Sequence, residues 1–234
     1  PVATFHGVNI YLAKQPVRRA VHRWMAARLL RYGSKLTSVA RYSLALAEDI
    51  LALPPSRFSV VPNGSRARQH RGRFADEPAS GLVVGQVGTL NEDKGWRLTA
   101  DAVCRLRAEG RRVRLVLAGT GAAAGAAEAL ARERPQAIAY RGFVPDAADA
   151  VISGLDVLAL PSLQEGLPMA VIEAMSAAVP VVATAVGGIP EAVRHERTGF
   201  LVERSVAGIA DALRKLYDQP ERLGAMSRRA REVF

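Results

Sequence analysis

From Gly81 onward the sequence alternates short apolar runs with patterns typical of helices, and this alternation restricts the fold more than any other feature. Each apolar run has the length of a strand, and each intervening pattern has roughly ten residues. The clearest runs are residues 82–88, 113–119, 156–161, 179–185 and 199–202. A strand without polar alternation is buried on both faces, as in a parallel sheet covered by helices. The pattern therefore predicts an α/β fold with a parallel sheet, which binds ligands at the carboxyl ends of its strands.

The first third of the chain follows a less regular version of the same pattern. Strands are predicted at residues 1–7, 34–40 and 58–64, and helices at residues 16–33 and 41–53. Residues 66–80 are polar, charged and aperiodic, so we interpret them as a linker between two α/β units. We therefore predict a partial N-terminal domain over residues 1–70 and a C-terminal domain over residues 71–234.

The formal net charge of +10 is unevenly distributed. Residues 1–75 contain 13 Lys and Arg and two acidic residues, whereas the remaining residues contain 19 basic and 20 acidic ones. This asymmetry predicts that the two regions have different functions. The single cysteine, Cys104, excludes a disulfide framework and favours a cytoplasmic protein. No apolar run is long enough to cross a membrane and no signal peptide or initiator Met is visible, so we expect a fragment or a processed chain.

The stretch PSLQEGLPMAVIEAM, residues 161–175, places Glu165 and Glu173 on either side of seven residues. Pro168 suits the first turn of a helix. The backbone amides at that helix start would then suit an anion such as a phosphate, and they belong to Gly166, Leu167, Met169 and Ala170. Glu173 lies about a turn and a half further on, where its carboxylate can accept two hydrogen bonds from a vicinal diol such as a ribose.

Taken singly, each of these glutamates has a simpler explanation. Glu165 would be an acid favoured by the helix dipole, and Glu173 a partly exposed residue. The complete stretch with its neighbours favours the ligand-binding interpretation.

Other loops after predicted strands carry weaker signals. In VGTLNEDKGW, residues 87–96, a strand ends at Gly88, and Lys94 either faces a diphosphate or is a solvated loop lysine. The glycines of GGIPE, residues 187–191, permit a close backbone approach to a ligand. The glycine spacing in residues 117–125 does not fit a dinucleotide fingerprint, which argues against a nicotinamide dehydrogenase. The four histidines are scattered, so we expect no metal site.

Together these motifs resemble a family. Their order is VPNG, VGTLNEDKG, LAGTG, GFVPD, LPSLQEGLPMAVIEAMSAAVPVVAT, GGIPEAV and TGFLV. From about Val60 to Phe234 the chain is similar to the group 1 (family 4) retaining glycosyltransferases of the GT-B fold, and residues 165–173 match the signature of that family with two glutamates seven residues apart. The resemblance implies a Rossmann-like domain that binds a nucleotide-sugar, preceded by about half of a second α/β domain. It also implies that the chain ends before the usual crossover helix.

The resemblance also implies roles for individual residues. Glu173 would hold the ribose hydroxyls, and Lys94 would neutralise the diphosphate as it leaves. The donor sugar and diphosphate would meet Glu165, Gly166, Leu167, Pro168, Met169, Gly88 and Thr89. The base would contact Phe143 and Val144, and His6 would touch the donor sugar from across the cleft. Family members usually need no metal or prosthetic group, and the donor would be a UDP- or GDP-sugar.

The chain departs from the family at Thr89, where an arginine is common. One of two usual diphosphate cations is therefore absent, so either donor affinity is lower than in the family or the nearby Arg97 compensates. We predict sugar transfer, with retention of the anomeric configuration, to a lipid-linked or polysaccharide acceptor. Two alternatives stay open: a nucleotide-sugar epimerase of the same fold, and a donor-binding fragment without catalysis.

The basic segment at residues 16–33 is predicted to be an amphipathic helix. Val17, Val21, Trp24, Met25 and Leu29 can share one face, with arginines elsewhere. This combination suits an anionic membrane surface, on the inner face of the cytoplasmic membrane. The alternative is a core helix with a solvated basic face. No nucleic-acid-binding motif accompanies the charge, so a nucleic-acid partner is not expected.

Overall fold

The computed structural model describes residues 2–5, 16–31, 35–45, 56, 58–69 and 81–234. The first third contains a parallel three-stranded sheet in the order β1-β2-β3. Its elements are β1 (Val2–Phe5), α1 (Pro16–Arg31), β2 (Lys35–Ser38) and β3 (Phe58–Val60). All three predicted strands and the basic helix are confirmed, and the second predicted helix is described only over residues 41–45. The amphipathic character predicted for α1 is weak, because apolar and polar residues are hardly segregated around this helix.

The rest of the chain forms a parallel six-stranded sheet in the order β6-β5-β4-β7-β8-β9. The strands are β4 (Leu82–Val87), β5 (Val113–Ala118), β6 (Ile138–Tyr140), β7 (Val157–Leu160), β8 (Val181–Thr184) and β9 (Gly199–Val202). The helices are α2 (Trp96–Ala108), α3 (Ala124–Glu133), α4 (Ala147–Ala150), α5 (Met169–Ser176), α6 (Ile189–Ala192), α7 (Val206–Asp218) and α8 (Pro220–Val233). The predicted alternation of strand and helix is therefore confirmed.

Both faces of the larger sheet are buried, which explains the nearly continuous apolar runs. Along β4, Leu82 and Val84 face one core and Val83 faces the other. The first core contains α2, α3 and α7, whereas the second contains α4 and α5. Because successive side chains of a strand point to opposite faces, a strand between two helical layers needs apolar residues at every position.

The order of the strands reverses beside β4. The chain passes from β4 outward to β5 and β6, and then returns to the other side of β4 to form β7, β8 and β9. The connections that follow β4 and β7 therefore leave in opposite directions. A crevice opens between such strands at their carboxyl ends, and this is the usual ligand site of an open α/β sheet.

The smaller sheet contacts the larger unit just after β2. Val39 and Ala40 are buried against Leu167 and Ile172. The carboxylate of Glu191 accepts hydrogen bonds from the backbone amides of Arg41 and Tyr42, at 3.0 and 2.8 Å. The side-chain amide of Asn63 donates to the carbonyl oxygen of Leu167 at 2.9 Å. The residues after β2 and β3 therefore touch the loop that leads into α5.

The final helix, α8, was not predicted from the sequence. Met226 and Ala230 are its buried residues, and the helix packs against α5. The guanidinium of Arg231 donates hydrogen bonds to the carbonyl oxygens of Arg68 and Ser176. The predicted boundary at residue 70 stays a prediction, because residues 70–80 lie outside the described part of the chain.

An ion-pair network joins the end of α2 to α7. Arg214 donates to the carboxylate of Glu109 through Nε and Nη2, at 3.0 and 2.8 Å. Arg111 donates to Asp218 in the same bidentate manner, at 3.0 and 2.8 Å. The hydrogen bond from Arg214 lowers the pKa of Glu109, and the hydrogen bond from Arg111 lowers the pKa of Asp218.

This network predicts a specific pH dependence of stability. A carboxyl with a lowered folded-state pKa stabilises the fold above its unfolded pKa, and this contribution is lost as the pH falls through the folded pKa. We expect Glu109→Gln to lower the melting temperature at neutral pH, with the difference from wild type closing below about pH 4. Thermal denaturation across this range measures it. Glu128→Gln, which removes an exposed carboxylate on α3, is the control, and an equal effect of the two variants would contradict the prediction.

Candidate functional site

A cavity of about 250 Å³ opens at the carboxyl ends of β4 and β7, where the order of the strands reverses. It is lined by Gln86, Val87, Gly88, Thr89, Leu90, Lys94, Leu160, Glu165, Pro168, Met169 and Ala170. Seven of the residues singled out in the sequence therefore meet in one place: Gly88, Thr89, Lys94, Glu165, Pro168, Met169 and Ala170.

A second cavity, of about 270 Å³, continues from the first along the ends of β4 and β5. It is lined by Val87, Gly88, Thr89, Ala118, Gly119, Thr120, Phe143, Val144 and Ala147. The two cavities share Val87, Gly88 and Thr89. Phe143, whose surface is 73% exposed, lies at the second cavity and is open to a flat partner.

The start of α5 faces the first cavity. Its first helical residue is Met169. Pro168 therefore precedes the helix, and the prediction that it belongs to the first turn is wrong by one residue. Within the described part of the chain, the backbone amides of Met169 and Ala170 have no hydrogen-bond acceptor. Because both residues line the cavity, this helix end offers two free N–H donors and a positive partial charge to an anion.

An ion pair between Lys94 and Glu165 crosses the first cavity. Lys94 Nζ lies 2.6 Å from Glu165 Oε1, and the hydroxyl of Ser162 donates to the same oxygen at 2.7 Å. The Glu165 side chain is only 8% exposed, whereas that of Lys94 is 28% exposed. The Glu165 carboxylate is therefore held by two hydrogen-bond donors, whereas the Lys94 side chain remains partly accessible to a ligand in the cavity.

The backbone around Lys94 is held by residues that sequence reasoning missed. The side-chain amide of Gln86 donates to the carbonyl oxygen of Lys94 at 2.8 Å, and the hydroxyl of Thr99 donates to Gln86 at 3.0 Å. Asn91 Oδ1 accepts from the amide of Lys94 at 3.0 Å. Gln86 is the one polar side chain of β4, and that exception within an apolar run is the signal that would have found it.

The loop before α5 is held from the other side by β8 and the glycines that follow it. The hydroxyl of Thr184 donates to the carbonyl oxygen of Ser162 at 2.5 Å. The amide of Gly188 donates to the carbonyl oxygen of Gly166, also at 2.5 Å. A Cβ on Gly187 would lie 1.9 Å from the carbonyl oxygen of Glu165. The GGIPE motif therefore packs against the loop that carries Glu165.

Glu173 lies one turn further along α5 than the cavity residues Met169 and Ala170, on the same helical face. It lines neither of the two cavities described above. Its carboxylate is half-buried and forms no hydrogen bond to the described residues. Burial raises the pKa of Glu173, the positive charge of Arg68 opposes this increase, and the negative charge of Asp149 adds to it.

Of the remaining predicted residues, Arg97 lies away from this arrangement, and His6 is outside the described residues. Arg97 does not line either cavity: its guanidinium lies over the ring of Trp96 and 3.9 Å from Asp101, and half of its side chain is exposed. Arg97 therefore does not replace the absent arginine at Thr89 in this conformation, because it points along the outer surface of α2.

The family model for group 1 glycosyl transferases matches residues 81–219, which include both cavities and α5. The chain belongs to the group 1 glycosyl transferases. The matched segment begins with β4 and ends after α7, so the family is shown by the part of the chain that contains the larger sheet.

The 2-deoxystreptamine glucosyltransferase of Streptomyces kanamyceticus is 30% identical over 231 residues, which cover 94% of this chain and 59% of that protein. The putative colanic acid biosynthesis glycosyltransferase WcaL of Salmonella typhimurium is 30% identical over 166 residues, 67% of this chain and 41% of that protein. The chain thus spans about half the length of these group 1 relatives.

Among solved structures, Anabaena Alr3699/HepE in complex with UDP and glucose has a TM-score of 0.82 and 18% sequence identity. The match covers 99% of this chain and 66% of that one. The predicted α/β fold of GT-B type is confirmed.

Gly95, the residue after Lys94, leaves no room for a side chain, and this predicts a large loss of stability when a methyl group is added there. Gly95 has φ +67°, and a Cβ there would lie 2.4 Å from the carbonyl oxygen of Pro161. Gly110 has φ +85°, with nothing within 4 Å of a Cβ. Placing Ala in either left-handed position costs about 1–2 kcal/mol of stability. We expect Gly95→Ala to lower the free energy of unfolding by clearly more than Gly110→Ala, measured by urea denaturation, whereas equal losses would contradict this contact.

Proposed function

We propose that the chain is the donor-binding half of a glycosyltransferase that uses a nucleotide-diphosphate sugar. The observation that carries this proposal is the convergence of Lys94, Glu165 and two free amides of α5 on a cavity at the reversal of strand order. A lysine and a helix start together supply positive charge and N–H donors, which is what a diphosphate requires. The names of the relatives, which are glycosyltransferases, support the same reaction class.

In this proposal the donor lies along both cavities. The diphosphate is bound by Lys94 and by the amides of Met169 and Ala170, and the base lies in the second cavity beside Phe143 and Val144. The ribose hydroxyls are bound by Glu173, one helical turn from the diphosphate. Gly88 and Thr89, which line both cavities, lie where the two halves of the nucleotide meet.

The proposed chemistry breaks the bond between the anomeric carbon and the diphosphate and forms a bond from that carbon to an acceptor hydroxyl. The hydroxyl proton passes to the departing phosphate oxygen. Lys94 stabilises the charge that develops on the leaving group, and the phosphate competes with Glu165 for this lysine. Glu165 already accepts bonds from Lys94 and Ser162, so it orients the donor and is not a free nucleophile. For the retention that the resemblance implies, this favours attack on the face from which the diphosphate leaves over a double displacement through a covalent intermediate.

The acceptor and the base are the finer parts of the proposal. A polysaccharide acceptor is supported by the name of the relative from Salmonella typhimurium, which refers to colanic acid biosynthesis. The relative from Streptomyces kanamyceticus is named for 2-deoxystreptamine, and neither name refers to a lipid-linked acceptor. UDP is the first nucleotide to test, because the Anabaena structure of the same fold is a complex with UDP and glucose; GDP is the second.

The nucleotide site is tested by calorimetry with UDP, GDP and inorganic pyrophosphate. We expect Glu173→Gln to weaken UDP binding at least tenfold, because bonds to a charged acceptor contribute about 1.5–3 kcal/mol each, and to leave pyrophosphate binding unchanged. Lys94→Met should weaken both ligands. Arg97→Ala, at the outer surface of α2, is the matched control and should change neither.

Absence of nucleotide binding by the wild-type chain would overturn the proposal. Product analysis separates the two alternatives. An epimerase would change or hydrolyse the nucleotide-sugar without an acceptor, and a fragment without catalysis would bind it unchanged. The glycosyltransferase proposal requires that the transfer product form in the presence of an acceptor and a complete acceptor-side domain.

We further propose that α1 binds an anionic membrane surface. Val17, Val21, Trp24 and Met25 are 75, 50, 61 and 48% exposed, and this exposure supports the membrane proposal over the core-helix alternative. Arg28 lies over the Trp24 ring at 5.3 Å. Exposed apolar side chains together with arginines are the combination that binds at the interface between an anionic membrane and water.

No helix in the described ranges is long and apolar enough to cross a membrane. This proposal places the protein at the cytoplasmic face of the membrane.

Flotation with vesicles tests the membrane proposal. The wild-type chain should float with vesicles that contain anionic phosphatidylserine and stay behind with neutral ones, and added salt should weaken this association. Trp24→Ser should reduce flotation severalfold. Val61→Ser, which removes a 56% exposed apolar side chain outside α1, is the control. Equal flotation of wild type and Trp24→Ser would contradict a role for this helix.

A further inference from the structure

A cluster of charges lies behind α5, outside the two cavities. Arg68 belongs to the segment that follows β3, and its side chain is only 12% exposed. Its Nε donates to Asp149 Oδ1 at 3.0 Å, and its Nη1 donates to the hydroxyl of Ser176 at 3.3 Å. The backbone amide of Arg68 also donates to the carbonyl oxygen of Ser176, at 3.0 Å. Arg68 is therefore bound to both α4 and the end of α5.

Neighbouring residues hold this arginine in place. The guanidinium of Arg231, on α8, donates to the carbonyl oxygens of both Arg68 and Ser176. It therefore links the segment after β3 to the end of α5. The hydroxyl of Ser65 accepts from Arg68, and Arg66 forms a second ion pair with Asp149. The position of Arg68 therefore depends on three parts of the chain at once.

The cluster adjoins the proposed ribose-binding carboxylate. Ser176, which Arg68 contacts twice, lies three residues after Glu173, so the two residues are neighbours on the surface of the helix. The hydroxyl of Ser176 also donates to the carbonyl oxygen of Glu173 at 2.7 Å. The charged groups that act on Glu173 are Arg68, from the segment after β3, and Asp149, from α4. Two further arginines lie in the same cluster: Arg66 pairs with Asp149, and Arg231 of α8 donates to the carbonyl oxygen of Ser176.

We propose that Arg68 is a positioning residue for Glu173: it neutralises Asp149 and keeps the Glu173 carboxylate charged and able to bind the two ribose hydroxyls. This inference rests on the proposed function, in which Glu173 binds the ribose. The inference goes beyond that function because Arg68, from the segment after β3, would raise nucleotide affinity without contacting the nucleotide. Without Arg68, the negative charge of Asp149 is compensated less completely, and the charged form of the half-buried Glu173 becomes less favourable.

The inference predicts that nucleotide affinity depends on pH, and that Arg68 and Asp149 shift this dependence in opposite directions. A charged Glu173 accepts both hydroxyl bonds, so affinity is full above its pKa and is lost as the pH falls through it. Arg68 lowers the pKa of Glu173 and Asp149 raises it. Removal of Arg68 should therefore move the loss of affinity to higher pH, and removal of the Asp149 charge should move it to lower pH.

The experiment measures the dissociation constant of UDP by calorimetry from about pH 5 to pH 8.5. We expect Arg68→Ala to weaken UDP severalfold at pH 7 and to raise the midpoint of the pH profile by about one pH unit, the usual effect of losing an adjacent opposite charge. Asp149→Asn should lower the midpoint. The double variant should return toward the wild-type profile, and Arg68→Lys should preserve most of it. A merely structural role would change affinity equally at every pH.

The outcomes separate the inference from the proposed function. No UDP binding by the wild-type chain, or binding that Glu173→Gln does not weaken, contradicts the proposed function and this inference with it. A clear effect of Glu173→Gln, combined with profiles of Arg68→Ala and Asp149→Asn that run parallel to the wild-type profile, overturns the inference alone. Asp149→Asn keeps the side-chain shape of Asp149. Arg68→Gln removes the charge of Arg68 but keeps a hydrogen-bond donor, so it replaces Arg68→Ala if that variant does not fold.

Discussion

The larger sheet is buried on both faces, and this constraint determines where polar chemistry can lie. A buried polar group without a partner costs about 1–3 kcal/mol, so the strands admit few polar side chains. Gln86 and Thr184, which are such exceptions, lie near strand ends, and each bonds to a backbone carbonyl of a loop that carries a candidate site residue. The polar residues of this sheet thus fix the loops at its carboxyl edge, and those loops carry the side chains that can meet a ligand.

The fold was largely predictable because it depends on local patterns. Apolar runs gave the strands, and the turn before Met169 gave the start of α5 to within one residue. Family resemblance added the association of Lys94 with Glu165, 71 residues apart in the chain. Helix α8 was missed because only two of its residues, Met226 and Ala230, are fully buried, so its apolar pattern is weak.

Other features could not be predicted because they depend on contacts between distant segments. Arg68 and Asp149 are separated by 81 residues, and nothing near either residue in the sequence indicates the other. The same holds for Glu191, whose carboxylate binds amides 149 and 150 residues away. Arg97 shows the opposite error: closeness in sequence to Lys94 suggested a shared site, but the first turn of α2 directs the two side chains apart.

The contact between Gly188 and Ala40 limits how this protein can be recombined. A Cβ on Gly188 would lie 2.7 Å from the methyl group of Ala40 and 2.7 Å from the carbonyl oxygen of Gly166. A chimeric chain that joins this larger sheet to the smaller sheet of another family member would keep the geometry of the Glu165 loop only if an equally small residue follows its second strand. The volume of one methyl group therefore decides which halves are interchangeable.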